Sequence, residues 1–419
     1  MTIGTYPLYG AVLAVLALGL AQPAAARNTA GPALRTYVQT VLGDHPALGE
    51  AKAAFDAARF RARGLAQPLY NPELELGYDN ALSTSKEIGL SQTLDLGGKG
   101  SARAGMADAE LAAARARLVL STKSLTTSLL TALADYQAAS RADAVARQRV
   151  DLDREFLALA ERRNTAGDLP QTELVTARLS LSQARAEASA AVLALSAARE
   201  RLDAIAGAAG PPPPPLGGAP DAPARTLDGI DLMRLPEMRL TAHQAEAARS
   251  RVSVARRNRV PDPTLGFSVG KEREWTPLGE RESATTFGLR LSVPIPVRNG
   301  FGAEVDAAGA DLIAAEDALR RQRRAMEARI TASRQRYETA RAAWADWQAG
   351  GAGALNDQRA LLRRLWEAGE IGAVDYIIQL NQTFATERAG IDLEARLWTA
   401  WFDWLDATAT IGEWTEIEP

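Results

Sequence analysis

Two short stretches of alternating apolar and polar residues stand out in a chain whose pattern is otherwise helical. They are residues 86–100 (KEIGLSQTLDLGGKG) and residues 285–300 (TTFGLRLSVPIPVRNG). The apolar residues on alternate positions are Ile88, Leu90, Leu94 and Leu96 in the first stretch and Phe287, Leu289, Leu291 and Val293 in the second. A period of two is typical of a β-strand with one apolar face. Each predicted strand ends in a turn rich in glycine or proline, and a long helix is predicted to follow.

Each of these strands has a predicted partner just upstream, so that the chain contains two β-hairpins. The partner strands cover residues 72–78 and 263–269, and their aligned apolar residues are Leu74, Leu76, Tyr78, Leu265, Phe267 and Val269. The opposite positions of the two hairpins are polar, namely Glu73, Glu75, Asp79, Arg290 and Ser292. Strands of about nine to eleven residues with one polar face suit a tilted crossing of a membrane around a watery lumen.

Two hairpins are too few to form a stable membrane structure within one chain. A lone hairpin is marginally stable, and every backbone polar group in lipid must be paired. Three chains would supply about twelve strands, and a closed barrel of that size leaves a lumen. The hydrogen-bond requirement therefore predicts a homotrimer surrounded by membrane lipid.

The chain also repeats itself. Residues 71–74 (NPEL) recur as residues 262–265 (DPTL), and residues 167–169 (GDL) recur as residues 369–371 (GEI). A run rich in proline and glycine lies between the copies and is typical of a semi-rigid linker. The predicted division is a signal peptide (1–26), a first repeat (27–206), a linker (207–227), a second repeat (228–411) and a C-terminal tail (412–419).

The helical segments carry a seven-residue apolar repeat, which indicates coiled-coil packing. Its members are Leu174, Leu181, Ala188, Leu195 and Leu202 in the first copy and Ile377, Phe384, Ile391, Trp398 and Leu405 in the second. One helix is predicted over residues 100–164, about 100 Å long. The glycines at 350, 351 and 353 are expected to bend or break the corresponding helix of the second copy. The fold class is thus mainly α with a small β part.

The composition argues against several classes of function. The chain has no cysteine and only two histidines, which leaves no recognisable set of metal ligands or cofactor site. A net charge of −3 gives no indication of a nucleic-acid partner. No catalytic constellation is present either, so an enzyme is the least supported class.

The beginning of the chain resembles an export signal. An apolar run at residues 11–20 is about ten residues long, too short to span a bilayer, and Ala24-Ala25-Ala26 follows as a small-residue cleavage pattern. We therefore predict export and cleavage after Ala26. No lysine or arginine precedes Arg27, so an uncleaved buried helix is the alternative.

The repeated helix–hairpin–helix plan resembles the TolC family of outer-membrane efflux channels. Residues 90–99 (LSQTLDLGGK) and 293–300 (VPIPVRNG) are similar to its heavy-metal branch, the cobalt–zinc–cadmium type. The resemblance implies a homotrimeric β-barrel in the outer membrane that continues into an α-helical barrel in the periplasm. It also implies two partners, a periplasmic adaptor and an inner-membrane pump of the RND type, and a passive exit duct for solutes such as heavy-metal cations.

The turns at residues 166–170 and 368–372 are predicted to protrude at the far end from the barrel. Gly167 and Gly369 fit turn positions that need a positive φ. The resemblance implies that the adaptor docks at these turns, on Gly167, Leu169, Gly369 and Ile371. The alternative is that the turns only reverse the direction of the helices.

Four acids flank these turns: Asp168, Glu173, Glu370 and Asp375. In a trimer they would place about twelve carboxylates around the entrance, and acidic rings favour cations. The resemblance further implies that Glu173 and Asp375 help to hold the entrance shut. The neighbouring arginines, which could pair with some of these acids, are Arg162, Arg163, Arg363 and Arg364.

Basic residues gather where helices meet strands, among them Lys99, Arg257 and Arg298. They could face anionic lipid headgroups or stabilise the C-termini of helices.

Other functions share parts of this pattern. A duct for protein secretion or drug efflux would have the same fold. A structural coiled-coil or adaptor protein of the periplasm would also have long helices, but it would not need two hairpins of membrane-crossing length.

Overall fold

The structure is a computed structural model that describes residues 30–80, 83–220, 230–275, 281–351 and 353–417. The predicted signal peptide lies outside the described residues, and so do residues 221–227 of the predicted linker. The division into two repeats stays a prediction.

The described ranges form a mainly helical fold with one small antiparallel sheet, which confirms the predicted class. The helices are α1 (Pro32–Gly43), α2 (Pro46–Leu65), α3 (Lys99–Ala166), α4 (Gln171–Ala206), α5 (Pro236–Arg257), α6 (Gly302–Gly350), α7 (Ala354–Ala368), α8 (Ala373–Ala407) and α9 (Ile411–Thr415). The strands are β1 (Glu73–Asn80), β2 (Ser83–Thr93), β3 (Thr264–Trp275) and β4 (Arg281–Ser292). The predicted break between α6 and α7 is present, because α6 ends at Gly350 and α7 begins at Ala354.

The two hairpins join into one sheet with the strand order β1-β2-β3-β4. The register brings the predicted apolar residues into rows, for example Leu76, Ile88, Val269 and Phe287. Leu76, Ile88 and Phe287 are exposed, Phe287 by 74%, and Val269 is half-buried. One face of the sheet is therefore apolar and uncovered over the rows nearest the helices, and Lys86, Lys271 and Arg273 continue that face toward the hairpin ends. Glu73, Glu75 and Arg290 lie on the other face.

Strands β2 and β4 both end earlier than their apolar alternation suggests. Leu94 and Leu96 lie beyond Thr93, the last residue of β2, and Val293 likewise lies beyond the end of β4. The side chain of Asp95 explains the end of the first pattern, because it accepts hydrogen bonds from the backbone N–H groups of Lys99 and Gly100, both at 2.7 Å. This carboxylate therefore starts α3 directly after the strand.

The sheet is strongly curled. Glu75 on β1 and Arg290 on β4 form an ion pair with 3.7 Å between Oε2 and Nη1, although two strands separate them. In a flat sheet, three strand spacings would hold the two backbones about 14 Å apart, and side chains standing perpendicular to the sheet would stay that far apart. Glycines make the curl possible, since a Cβ on Gly270 would lie 2.8 Å from the carbonyl oxygen of Lys86 and one on Gly288 would overlap Ser268. The polar face is therefore the concave one.

Helix α3 runs through the whole helical body, with 68 residues and a length of about 100 Å. Helix α2 lies along its first part, and α4 lies along its second part. Helices α5 and α8 pack between α3 and α6 in the same way, with α5 near the sheet and α8 farther from it. Shorter helices thus follow one another end to end along the continuous α3.

A buried group of charges holds the place where α8 ends and α5 begins. Lys123 on α3 is 7% exposed, pairs with Glu237 in the first turn of α5 and donates to the backbone oxygen of Asp406 on α8 at 2.9 Å. Arg329 on α6 pairs with the Asp406 carboxylate. Two cations and two anions therefore connect four helices. Loss of one member would leave a buried charge without its partner.

The helical body contains two separate hydrophobic cores. The first core lies at mid-height, and its largest buried side chains include Leu129, Leu133, Phe402 and Trp404. The second core lies beside the α3–α4 and α7–α8 turns; its aromatic members are Phe156, Trp366, Tyr376 and Phe384. The predicted heptad positions of α8 are buried along both cores, from Ile377 to Leu405.

The predicted linker and tail both pack against the first core. The Gln137 side chain on α3 donates to the backbone oxygen of Pro214 at 2.6 Å and accepts from the backbone N–H of Leu216 at 2.9 Å. The linker is therefore strapped across α3. In the predicted tail, Trp414 is buried, and its backbone oxygen accepts from Ala30 at 2.8 Å.

Candidate functional site

The α3–α4 and α7–α8 turns have the same backbone geometry. Gly167 and Gly369 have φ values of 87° and 75°, which confirms the positive φ predicted at both positions. The N–H of the residue after each glycine reaches back to the preceding helix, from Asp168 to the oxygen of Arg163 at 2.8 Å and from Glu370 to that of Leu365 at 2.9 Å. This arrangement closes a helix C-terminus with glycine in the left-handed region.

The apolar residues of the two turns face inward. Leu169 is buried in the second core, and Ile371 is half-buried against it. In the described chain, the turns therefore present Gly167, Asp168, Gly369 and Glu370 to solvent. A surface contact of Leu169 with a partner would require the turn to rearrange.

Glu173, on the first turn of α4, contacts the α7–α8 turn. Its Oε2 accepts a hydrogen bond from the backbone N–H of Ala373, the first residue of α8, at 3.2 Å. A negative charge is favourable there because the N-terminus of a helix has free N–H groups and a positive dipole end. Glu173 on α4 thus caps α8.

Arg163 makes the complementary contact at the end of α7. Its Nη2 donates to the backbone oxygens of Trp366 at 3.0 Å and Glu367 at 2.9 Å. Its guanidinium also lies over the Trp366 ring, 4.6 Å from the centroid. A cation is favourable at a helix C-terminus. We call Arg163 and Glu173 the tip clasp, because together they hold both helix ends of the α7–α8 hairpin.

The other three predicted acids, Asp168, Glu370 and Asp375, are exposed, and none of the ion pairs described for the chain includes them. The neighbouring arginines bind elsewhere: Arg363 pairs with Glu367 at 2.9 Å and Glu155 at 3.3 Å. Arg162 donates to the oxygen of Ala158 at 3.3 Å. The expected competition between these arginines and the acids is therefore absent from the described contacts.

Two buried charges above the tip could not be recognised in the sequence. Asp153 is fully buried and accepts from the Ser180 hydroxyl at 3.0 Å, and burial raises the pKa of its carboxyl. Burial and the nearby Asp153 charge raise the pKa of Tyr376 to about 12. Arg149, one turn before Asp153, pairs with Glu187 on α4 and donates to Asn381 on α8 at 2.8 Å. Arg149 and Asp153 have the i, i+4 spacing of an ordinary exposed ion pair on a helix. Only the packing of the helices shows that they are buried.

At the other end of the helices, two of the predicted basic residues, Lys99 and Arg257, bind the chain itself. Arg257 donates from Nη1 to the backbone oxygens of Gly97 and Gly98 at 3.0 and 3.1 Å. Lys99 and the Tyr70 hydroxyl both donate to the buried carboxylate of Asp262, at 2.7 and 2.6 Å. For Lys99 and Arg257 the intramolecular alternative is therefore the one that the structure supports.

No metal-binding group was found in the part of the chain that the structure describes, where no three histidine, aspartate or glutamate residues come together. The helices of that part include none with the length and apolarity needed to cross a bilayer.

The sheet, the long helices and the paired turns match one protein family. The family model for outer membrane efflux proteins matches residues 37–208 and 232–403. The chain belongs to the outer membrane efflux protein family. The predicted TolC-family resemblance is thereby confirmed, and the location is the outer membrane with the helices extending into the periplasm.

Individual relatives agree with the family. The nickel-cobalt-cadmium resistance protein NccC of Alcaligenes xylosoxydans xylosoxydans is 28% identical over 327 residues, which cover 75% of this chain and 71% of NccC. A membrane protein from Pseudomonas aeruginosa has the same fold, with a TM-score of 0.75 and 20% identity over 91% of this chain and 94% of its own. CusC, which forms a transmembrane channel, has a TM-score of 0.73 and 17% identity over 93% and 95% of the two chains.

Glu173→Ala should loosen the start of α8. The substitution removes both the acceptor for Ala373 and the negative charge at the helix N-terminus, a loss of about 1 kcal/mol that raises local opening about fivefold. Hydrogen exchange measured by mass spectrometry should be faster by that factor in peptides that begin at Ala373. Asp168→Ala is the matched control, since Asp168 is an exposed acid of the same tip that lies outside the first turn of α8. Equal acceleration in both variants would contradict the cap.

Proposed function

We propose that this protein is the outer-membrane exit duct of a tripartite efflux system for heavy-metal cations. The observation that carries the proposal is the curled sheet, whose apolar face is uncovered while its charged face is concave. Such a sheet suits lipid on the outside and water on the inside. The duct is passive, and the energy comes from an inner-membrane pump of the RND type through a periplasmic adaptor. The similarity to NccC favours metal cations as the solute.

The proposal includes a homotrimer. Strands β1 and β4 are the two edges of the described sheet and have no partner within it. Because backbone groups in lipid must be paired, β1 of one copy would bind β4 of the next. Three copies of the four-stranded sheet would close a barrel of about twelve strands.

The helices support the same assembly through their internal repetition. Ile377 on α8 is 7% exposed because it lies in the second core, to which α3, α4 and α7 contribute. When Glu173 is aligned with Asp375, the residue of α4 that corresponds to Ile377 is Val175, which is 45% exposed. Leu179, one turn later, is 65% exposed. Helix α4 packs on α3 and touches α8, but no helix of the described chain covers the side that carries Val175 and Leu179. A second copy of the chain would cover that side through α7, where Leu361 is also exposed.

Leu179→Asp should weaken the trimer. Native mass spectrometry in mild detergent should give three copies of the mature wild-type chain. The variant should already be dissociated at chain concentrations at which the wild type is still a trimer, because it places a charge in an apolar interface. Ala194→Asp, at an exposed position on a different heptad face of α4 from Val175 and Leu179, is the control and should remain trimeric. A stable membrane-inserted monomer of the wild-type chain would refute the trimer.

We also propose that the adaptor docks at the two turns, where Gly167, Leu169, Gly369 and Ile371 shape the surface. The exposed backbone at the glycines is the accessible part, and buried Leu169 and half-buried Ile371 fix the turns from beneath.

Cysteine crosslinking tests this docking without background because the chain has no cysteine of its own. Ala166→Cys and Ala368→Cys, both exposed beside the turns, should crosslink to the co-encoded adaptor. Ser189→Cys in the middle of α4 is the control. Equal crosslinking from all three positions would exclude tip docking.

The exposed acids of the tip are proposed to make the entrance selective for cations. Asp168, Glu370 and Asp375 would contribute about nine free carboxylates per trimer, and such rings favour cations. Glu173 would contribute less because it is engaged with α8, and its role would be to keep the entrance shut.

Planar bilayers under a salt gradient test the duct and its selectivity together. The wild-type channel should show a cation-selective reversal potential and conduct Ni²⁺ and Co²⁺. A variant with Asp168→Asn, Glu370→Gln and Asp375→Asn should move the potential toward zero, whereas Glu173→Gln should change it little. Unchanged selectivity in the triple variant would remove the acidic ring, and absence of any conductance would refute the exit duct.

A further inference from the structure

The charged residues near the hairpin ends of the sheet are sorted between its two faces. Residues 271–274 (KERE) alternate cation and anion along β3. Because successive side chains of a strand point to opposite faces, Lys271 and Arg273 lie on one face and Glu272 lies on the other. Lys86 on β2 lies directly opposite Lys271 and shares its face. Lys86, Lys271 and Arg273 are all exposed, and we call them the basic cluster.

The basic cluster continues the apolar face of the sheet. Lys86 and Lys271 lie two residues farther from the helices than Ile88 and Val269, which are paired with each other on the same two strands. Two residues of a strand span about 7 Å, so the two rows point the same way and lie about 7 Å apart. This face is therefore apolar toward the helices and basic toward the hairpin ends.

The acids of this region lie on the concave face. The Glu87 carboxylate on β2 lies close to Gly288 on β4, with its Oε1 3.7 Å from a Cβ placed on that glycine. Glu272 on β3 accepts a hydrogen bond from the hydroxyl of Ser83 at 2.8 Å. The backbone of the sheet separates these carboxylates from the basic cluster, so they do not act as its partners.

The basic cluster brings like charges together. Lys86 and Lys271 are a direct cross-strand pair with about 5 Å between their Cβ atoms, and Arg273 occupies the diagonal position about 7–8 Å from Lys86. Like charges directly opposite each other destabilise a sheet. Within the described residues none of the three cations has an anionic partner, and the Nζ of Lys86 lies 5.8 Å from the centre of the Tyr78 ring. An anion from outside the chain would remove this repulsion.

The hairpin ends face the outer leaflet of the membrane. The helices extend into the periplasm, and they join the opposite ends of the strands. Tyr78 lies in the row of Lys86 and is 62% exposed, and tyrosine is enriched where the hydrocarbon of a membrane meets the headgroups. With the apolar rows in the hydrocarbon, the basic cluster therefore lies at the level of the headgroups of the outer leaflet.

We propose that the basic cluster binds the phosphate group of a phosphorylated lipid in the outer leaflet, whose acyl chains lie along the apolar rows. A phosphate monoester carries a charge of about −1.5 to −2 and three acceptor oxygens, so three cations can share it. A zwitterionic headgroup would bring its own cation to the same place and would fit less well. The inference rests on the proposed placement of the apolar face in lipid, and it depends neither on the solute nor on conduction.

Binding is measured by native mass spectrometry of the protein in mild detergent during titration with lipid A, a glycolipid that carries phosphate monoesters. Lys86→Gln with Lys271→Gln should weaken lipid A binding about thirtyfold, because each lysine near an anionic headgroup contributes a factor of about five. Lys52→Gln with Arg321→Gln is the matched control, since it removes the same charge from exposed positions on α2 and α6 and should leave binding unchanged. Inorganic phosphate at the same concentration should not displace lipid A, because it has no acyl chains.

Lys86→Glu distinguishes lipid binding from a purely structural role. It turns the like-charge pair into an opposite-charge pair with Lys271, so without lipid A the variant should unfold at a higher temperature than the wild type. Lipid A should raise the unfolding temperature of the wild type more than that of the variant, because a ligand stabilises the state that binds it. The unfolding temperature is read from the change in gel mobility after heating. Equal stabilisation of both proteins by lipid A would contradict the proposal.

The site is refuted if the Lys86/Lys271 variant binds lipid A as tightly as the wild type, if the charge control loses binding equally, or if inorganic phosphate displaces the lipid. If lipid A binding depends on the basic cluster but planar bilayers show no conductance, the proposed duct fails and the lipid site stands. If the channel conducts while the substitutions leave lipid A binding unchanged, the duct stands and the lipid site fails.

Discussion

The main constraint on this structure is the need to pair the backbone groups at the two edges of its four-stranded sheet, whose apolar face is uncovered. Strands β1 and β4 each present a row of N–H and C=O groups, and in lipid each unpaired group would cost several kcal/mol. The sheet is already curved in the direction that a closed barrel would need. Glycines such as Gly270 and Gly288 leave room for the curl that brings Glu75 to Arg290. The outer-membrane location and the proposed multichain barrel satisfy the same requirement.

The helical body solves a different problem, which is to carry a rigid structure about 100 Å from the membrane on a chain poor in large apolar residues. A single continuous helix, α3, provides the length, and shorter helices follow one another along it. Apolar packing is concentrated in two cores, one at mid-height and one at the tip. Charges are used at the joints, where Lys123, Glu237, Asp406 and Arg329 connect the end of α8 to the start of α5.

At the tip, charge is placed according to the direction of the helices. Arg163 lies at the C-terminus of α7 and Glu173 at the N-terminus of α8, so each compensates the dipole end that it touches.

The sequence by itself determined the features that depend on local periodicity and on single residue types. The period of two located four strands, the heptad located the buried face of α8, and Gly167 and Gly369 located two turns with positive φ. Tertiary structure alone decided which charges are engaged. Glu173 and Asp375 occupy matching positions in the two copies, yet only Glu173 meets a helix end, from a residue 200 positions away. Arg149 and Asp153 have the spacing of a solvated pair but are buried between three helices. A charged residue has the same identity in water and in a core, and only the fold places a partner beside it.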